Sequence, residues 1–232
     1  MKKQKINIVI LSLFIIAGCA SNPSKVCLNY QPSIKLVNIP NDIRKKIGVF
    51  SFVDNREEIP PNAYGTIVKL ITAELPIAYY SHIKTETIIS NYVTDAFKAE
   101  LKNLGFQIVD SGIYLKAISP REVQKQLEGL ELRGVDKIIV GRIRFFRWTE
   151  AGFAGLLFQP GMPKPRLNVE IQVEIIDPRN MKIVWAGSGW ALEKSNENFP
   201  RNPEREIKIK IGLNKALNKI IGDKRFLDAL LQ

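Results

Sequence analysis

The sequence predicts an α+β fold, in which a mixed, largely antiparallel sheet carries helices packed on one face. Three patterns indicate this class. Apolar and polar residues alternate from Leu167 to Ile175, as in a half-solvated antiparallel strand. A turn sequence at residues 177–180 then leads to a second strand over 182–192. Apolar residues between Ile88 and Leu104 recur every three or four positions, as on one face of a helix.

The N-terminus has the organisation of a bacterial export signal. Lys2, Lys3 and Lys5 precede an apolar run over residues 6–16, which is well short of the roughly 20 residues that a spanning helix needs. Residues 16–19 read Ile-Ala-Gly-Cys and resemble the lipobox of bacterial lipoproteins. The resemblance implies that residues 1–18 are a signal peptide and that Cys19 becomes the acylated N-terminus of the mature chain. It also implies sorting to the outer membrane, because Ala20, and not aspartate, follows the cysteine.

Residues 19–44 are interpreted as the lipidated N-terminus and a flexible tether, because proline, serine and asparagine are scattered through them without a helical period. Residues 45–232 then form a single periplasmic domain. The second cysteine, Cys27, has no intrachain partner if Cys19 is acylated. A Cys19–Cys27 disulfide is the alternative, and it would contradict the lipobox interpretation.

The charge of the chain is strongly positive. Lysine and arginine number 34 against 23 aspartates and glutamates, for a net charge of +11. Removal of the three lysines in the leader leaves 31 against 23, or +8. The excess indicates attraction to anionic headgroups, phosphates or acidic polymers.

The first half of the domain alternates strands and helices. Residues 47–53 are predicted to form a strand, and residues 57–84 contain a loop around Pro60-Pro61 and an apolar stretch without a clear period. The helix over residues 85–104 ends at Gly105, and residues 106–109 form a short strand. A capping box at Ser119-Pro120-Arg121-Glu122 opens a second helix.

The second half is predicted to be a meander closed by helices. Residues 137–148 form a strand with Phe145 on the core face, and it pairs with the alternating strand so that Ile143 faces Ile171 and Arg144 faces Glu170. Residues 202–204 read Asn-Pro-Glu and begin a long helix, although alternating apolar residues from Ile207 to Leu213 also suit a strand. A last short helix covers residues 226–231.

Two segments are candidate binding sites. Arg147 and Trp148 make a possible basic-aromatic patch, since arginine binds phosphate and aromatic rings stack. For Arg142 and Arg144, cross-strand pairing with glutamate is the favoured interpretation. The connection over residues 149–166 is long for a hairpin and is the second candidate, through four apolar side chains: Phe153, Leu156, Leu157 and Phe158. Such a loop either folds over its own sheet or is buried in a partner or membrane.

Catalytic patterns are missing from the sequence. The one histidine, His82, stands beside Ser81 without the glycine-flanked serine of a nucleophile elbow, and it is assigned to a loop. Glu57 and Glu58 are adjacent and point apart on an extended chain. No spacing of His, Cys, Asp or Glu is typical of a metal site, and no glycine-rich phosphate loop occurs. We therefore expect no enzyme, no metal and no cofactor apart from the covalent lipid on Cys19.

With these segments assigned, the chain resembles the YajG-type outer-membrane lipoproteins. The resemblance rests on the lipobox, the strand at 47–53 followed by Asp54-Asn55-Arg56, the helix end at Leu104-Gly105-Phe106, the segment 135–141 and the C-terminal segment 216–231. It implies a non-catalytic envelope module, lipid-anchored to the outer membrane with its body in the periplasm, that binds a protein or a cell-wall polymer and no nucleic acid. Two rivals stay open: a ring-forming secretion or pore component that inserts residues 149–166, and an auxiliary lipoprotein of an envelope transporter.

Overall fold

The structure, a computed structural model, describes ten segments of the chain and one isolated residue. These are residue 28 and residues 30–32, 45–56, 67–70, 73–76, 78–82, 88–109, 120–127, 134–151, 164–196 and 202–232. The lipidation candidate Cys19, Cys27 and the four apolar residues of the predicted binding loop lie outside the described residues.

The described segments form nine strands and four helices. In chain order they are β1 (Lys46–Val49), β2 (Val53–Asp54), β3 (Ile67–Leu70), β4 (Ala73–Pro76), β5 (Ala78–His82), α1 (Ile89–Asn103), β6 (Gln107–Val109), α2 (Pro120–Leu127), β7 (Lys137–Ala151), β8 (Arg166–Asp177), β9 (Lys182–Lys194), α3 (Asn202–Ile221) and α4 (Lys224–Leu231). None of these helices combines the length and the apolar content that a membrane span requires.

The main sheet has seven strands and mixed pairing. Its central path runs β6-β1-β7-β8-β9, while β2 and β5 pair with further stretches of the long strand β7. The pairings of β6 with β1, and of β1 and β2 with β7, are parallel. The longest ladders, β7 with β8 and β8 with β9, are antiparallel. The predicted meander is therefore confirmed, and β3 and β4 form a separate antiparallel hairpin.

The main core lies between this sheet and a layer made by α1, α3 and α4. Alternate residues of β8, from Leu167 to Ile175, are buried against it, because successive side chains of a strand point to opposite faces. Phe97 of α1 packs against Phe52 at 5.3 Å and edge-on against Phe226 of α4 at 6.2 Å, measured between ring centroids. The α+β prediction is confirmed.

The helix α2 belongs to the opposite face of the sheet. Its Val123 lies in a second buried cluster with Ile138 and Val140 of β7, which alternate with the core residue Ile139. This cluster lies where β7 begins, on the face of the sheet opposite the three-helix layer.

The predicted strand over residues 47–53 is interrupted. Phe50 packs into the second cluster and Phe52 into the main core, so the chain bends between β1 and β2. The backbone N–H of Phe52 donates to the hydroxyl Oγ1 of Thr94 at 2.9 Å. His82, predicted to lie in a loop, is the last residue of β5, where the backbone pairs with Arg147.

Part of the predicted tether is bound to the domain. Leu28 and Tyr30 are half-buried and pack against the main core. The Tyr30 hydroxyl donates a hydrogen bond to the carboxylate of Glu100, and its ring meets Tyr92 edge-on at 6.4 Å. Two residues within the predicted tether from 19 to 44 therefore contact the domain, through apolar packing and a hydrogen bond.

Candidate functional site

The predicted basic-aromatic patch is divided by a β-bulge. Ile143 faces Ile171 as predicted, but the register then shifts, so that Phe145 and not Arg144 faces Glu170. The extra residue exchanges the two faces of β7 beyond this point. Phe146 and Trp148 are consequently buried in the main core, with Trp148 only 2% exposed, and Trp148 does not belong to an exposed patch.

Arg147 remains on the other face of β7 and is half-buried. Its guanidinium carbon lies 4.6 Å from the centroid of the Phe145 ring, a cation–π distance. On the same face, Arg142 Nη2 lies 3.3 Å from Glu174 Oε1 of β8, which agrees with the pairing favoured from the sequence. These arginines are engaged by their own sheet.

The described residues with exposed apolar side chains concentrate on the last strand. Ile183, Val184, Trp190 and Leu192 of β9 are exposed, and Trp190 reaches 58%. Strand β9 ends the central path of the sheet, and no strand in the described part of the chain pairs with its outer edge. We call these four residues and the outer backbone edge of β9 the β9 edge.

The position of α3 determines which face of β9 is covered. A Cβ atom added to Gly189 would lie 1.9 Å from the Ala216 carbonyl oxygen, so the helix backbone rests directly on the strand. The Lys215 ammonium lies 2.7 Å from Glu193 Oε1. The next helix, α4, places Phe226 edge-on to Trp185 at 5.0 Å. Since these contacts use the odd-numbered residues of β9, Trp190 and Leu192 point away from the helices.

Basic residues border the β9 edge. Lys182 and Lys194 are the two ends of the strand and are exposed. Lys219 of α3 places its ammonium 3.4 Å from the centroid of the Trp190 ring, which fixes the indole by a cation–π interaction. The edge therefore carries two pairs of exposed apolar residues, one towards each end of the strand, with lysines beyond them.

The described residues contain no candidate metal centre. No group of three or more His, Cys, Asp or Glu in this part of the chain is placed to hold a metal ion. Two marked pKa shifts have structural causes: burial raises the pKa of Tyr92 to about 12, and the Arg179 backbone N–H lowers the pKa of Asp177. Tyr92 is a core residue, and Asp177 is the last residue of β8, directly before the turn to β9.

The sequence contained a signal for the β9 edge. Apolar residues occur at both odd and even positions of 182–192, so a strand with one solvated face leaves some of them outside. The prediction of a strand there was confirmed, but which apolar residues face solvent depends on the helix that covers the other face.

Several solved structures resemble the fold at low sequence identity. Protein XCC0632 of Xanthomonas campestris, assigned to the DUF330 family, is 8% identical, with 90% of this chain and 95% of that chain covered and a TM-score of 0.49. The PelC dodecamer of Paraburkholderia phytofirmans is 11% identical, with 82% and 92% covered and a TM-score of 0.37. Lipoprotein GNA1162 of Neisseria meningitidis is 14% identical, with 77% and 99% covered and a TM-score of 0.37.

No family model and no curated protein matches the chain. The resemblance to the YajG-type lipoproteins therefore stays a prediction from the sequence.

Proposed function

We propose that the protein is a non-catalytic lipoprotein of the bacterial envelope, anchored through Cys19 to the outer membrane, whose periplasmic domain binds a protein partner at the β9 edge. The observation that carries the binding part is a 13-residue terminal strand with four exposed apolar side chains. Soluble proteins usually protect such an edge with charges, proline, a bulge or a covering element. In β9 the protection seen among the described residues is confined to the ends: Lys182 and a register shift near Trp185 at one end, and Lys194 at the other.

The chemistry of this edge favours an extended polypeptide as the ligand. The outer N–H and C=O groups of a terminal strand form a ladder with another strand, and exposed side chains of β9 then contact alternate side chains of the ligand. The border of Lys182, Lys194 and Lys219 favours a segment with apolar residues in its middle and acidic residues at its flanks.

A second copy of the chain suits this edge less well. Antiparallel self-pairing centred on Ser188 would bring Lys182 of one copy opposite Lys194 of the other at both ends. Like charges placed directly opposite each other in a sheet are destabilising. A different polypeptide with acidic flanks has no such conflict.

The test is site-specific photo-crosslinking in living cells with the full-length lipoprotein. A crosslinking residue at position 190 is compared with one at Ile88, an equally exposed apolar residue at the start of α1. The proposal predicts a discrete adduct to a polypeptide from position 190 and none from 88. It also predicts loss of the adduct when Leu192→Lys is added.

Mass spectrometry of the adduct identifies the chemistry of the ligand. A crosslinked peptide of extended, apolar sequence supports the proposal. Adducts only to glycan or lipid, or an adduct that persists with Leu192→Lys in a folded protein, would overturn it. Intact-mass analysis of the same preparation tests the anchor, because a mature chain that begins at an acylated Cys19 is required.

A further inference from the structure

The outer face of helix α3 carries a second surface with a different composition. One side of this helix supplies the core with Ile209, Leu213 and Leu217. The opposite side should then be polar, as in an ordinary amphipathic helix. Instead, Ile207 is 56% exposed and Ile211, one turn later, is 36% exposed.

Lysines surround these two isoleucines. Residues 207–222 contain four lysines and no aspartate or glutamate: Lys208, Lys210, Lys215 and Lys219. Two glutamates precede this stretch of the helix: Glu206, directly before Ile207, and Glu204, whose Oε1 accepts hydrogen bonds from Ser195 Oγ at 2.8 Å and from the Asn196 backbone at 2.7 Å. The Lys215 side chain contacts Glu193 and is still 58% exposed. We call Ile207, Ile211 and the four lysines the α3 face.

We infer that the α3 face docks on the surface of an anionic phospholipid bilayer. Apolar side chains between lysines are the composition of helices that lie in a membrane interface, with the apolar residues at the acyl boundary and the ammonium groups among the phosphates. Each lysine near an anionic surface contributes attraction, which salt weakens. A second copy is disfavoured, because the two faces would oppose eight lysines.

The attachment of the N-terminus makes this orientation reachable. The inference rests on the proposed anchor at Cys19. Eight residues lie between Cys19 and Leu28, so Leu28 is within about 30 Å of the bilayer even when the chain between them is fully extended. Leu28 and Tyr30 pack against the main core, and the Tyr30 ring meets Tyr92 of α1, a helix of the same layer as α3. The anchored segment therefore meets the domain at this layer.

The α3 face is distinct from the β9 edge. The former uses the outer side of the helix, and the latter uses the strand and its free backbone, with Lys219 at their common border. A lipoprotein with both surfaces holds its domain in one orientation on the bilayer, so that the protein-binding edge projects to the side.

The experiment uses the acylated full-length mature protein with Cys27→Ser, reconstituted on vesicles. An environment-sensitive dye is attached at Ile211→Cys or, as the control, at Gln124→Cys, an exposed position of α2 on the opposite side of the sheet. We expect a blue shift of the dye at position 211 on vesicles of equal parts phosphatidylglycerol and phosphatidylcholine. On pure phosphatidylcholine vesicles, or from position 124, we expect none.

Charge reversal tests the lysines. Lys208→Glu with Lys210→Glu is expected to abolish the blue shift at position 211. The matched pair Arg121→Glu with Lys125→Glu, both exposed on α2, is expected to leave it intact.

Each result has one consequence. An unshifted dye at position 211, or an equal shift on both kinds of vesicle, would overturn the inference. A shift that survives Lys208→Glu with Lys210→Glu would do the same. Failure of the protein to sediment with either vesicle would instead contradict the anchor, so the two failures are distinguishable.

Discussion

The close approach of α3 to β9 gives a prediction whose size follows from the structure. In Gly189→Ala, the new Cβ would lie 1.9 Å from the Ala216 carbonyl oxygen, whereas ordinary contact begins at 3.4 Å. An ordinary contact would therefore require the helix to move by about 1.5 Å. The obstacle is backbone, so no rotamer change relieves it.

A displacement of this size loosens the packing along the helix. Leu213, Leu217 and Ile220 are at most 1% exposed, and a gap of 0.5–1 Å already removes about a quarter to a half of a contact's dispersion energy. Overpacking against an immovable carbonyl costs about 3 kcal/mol, the upper end of the usual range, while the lost flexibility of glycine in the unfolded chain returns about 0.4–1 kcal/mol. We expect a net loss of about 2–3 kcal/mol, or a decrease in Tm of about 4–12 °C.

Chemical and thermal denaturation of the detergent-solubilised protein measure this loss. Ser188→Ala is the control, because Ser188 is the exposed neighbour on the other face of β9, and its free energy of unfolding should change by less than about 0.5 kcal/mol. Ala216→Gly added to Gly189→Ala should not restore stability, since the clash involves the carbonyl. If Gly189→Ala unfolds like the wild type, the helix does not rest on this strand.

Three further predictions concern the core and the N-terminal segment. Phe146→Ala should cost about 3–5 kcal/mol of unfolding free energy and Phe145→Ala less than about 1 kcal/mol, because the bulge buries only Phe146 in the main core. Tyr30→Phe should cost about 1–3 kcal/mol, since it removes a hydrogen bond to the buried Glu100 carboxylate. Burial raises the pKa of Tyr92 to about 12 from an ordinary 10.0, so its contribution to stability is full below pH 10 and lost as the pH rises towards 12. Ultraviolet titration of tyrosinate and unfolding at alkaline pH measure this loss.

Each of these three predictions has a result that would contradict it. A larger cost for Phe145→Ala than for Phe146→Ala would show that β7 keeps a regular alternation, and equal costs would contradict the burial of Phe146 alone. Tyr30→Phe should also speed hydrogen exchange or proteolysis near Leu28, and unchanged rates would mean that the segment is held by other contacts. Tyr92→Phe should remove the alkaline loss assigned to that phenol, and an identical pH profile in this variant would contradict the assignment.

Much of the fold could be predicted because the local pattern and the tertiary structure agree. The alternation of β8 places Leu167 and Ile175 in the core, as found. The helical period of α1 ends at Gly105, whose φ of +96° is favourable only for glycine. For α3, the Asn-Pro-Glu start signal predicted a helix, whereas the alternation from Ile207 to Leu213 suited a strand. The structure confirms the helix.

The bulge in β7 could not be predicted from the same kind of pattern. Phe145 and Phe146 are adjacent and equally apolar, so either satisfies the core face of a strand. The register is decided by the partners of β7, which pair Ile143 with Ile171 and Phe145 with Glu170. The register shift at Arg144 thus moves Trp148 into the core and removes it from the predicted binding patch.

The β9 edge could be predicted from the sequence only in part. The sequence predicted a meander whose last strand is followed only by helices, and a strand that no later strand can join is terminal in the simplest sheet order. The sequence also shows apolar residues at both odd and even positions of this strand. What the sequence did not contain is the position of α3: the contact of Gly189 with the Ala216 carbonyl and the ion pair of Lys215 with Glu193 show which face of β9 the helix covers. Because α3 packs on the face of β9 that contains Gly189, Trp190 and Leu192 remain exposed on the other face. The absence of a side chain at position 189 therefore determines which apolar residues a partner can reach.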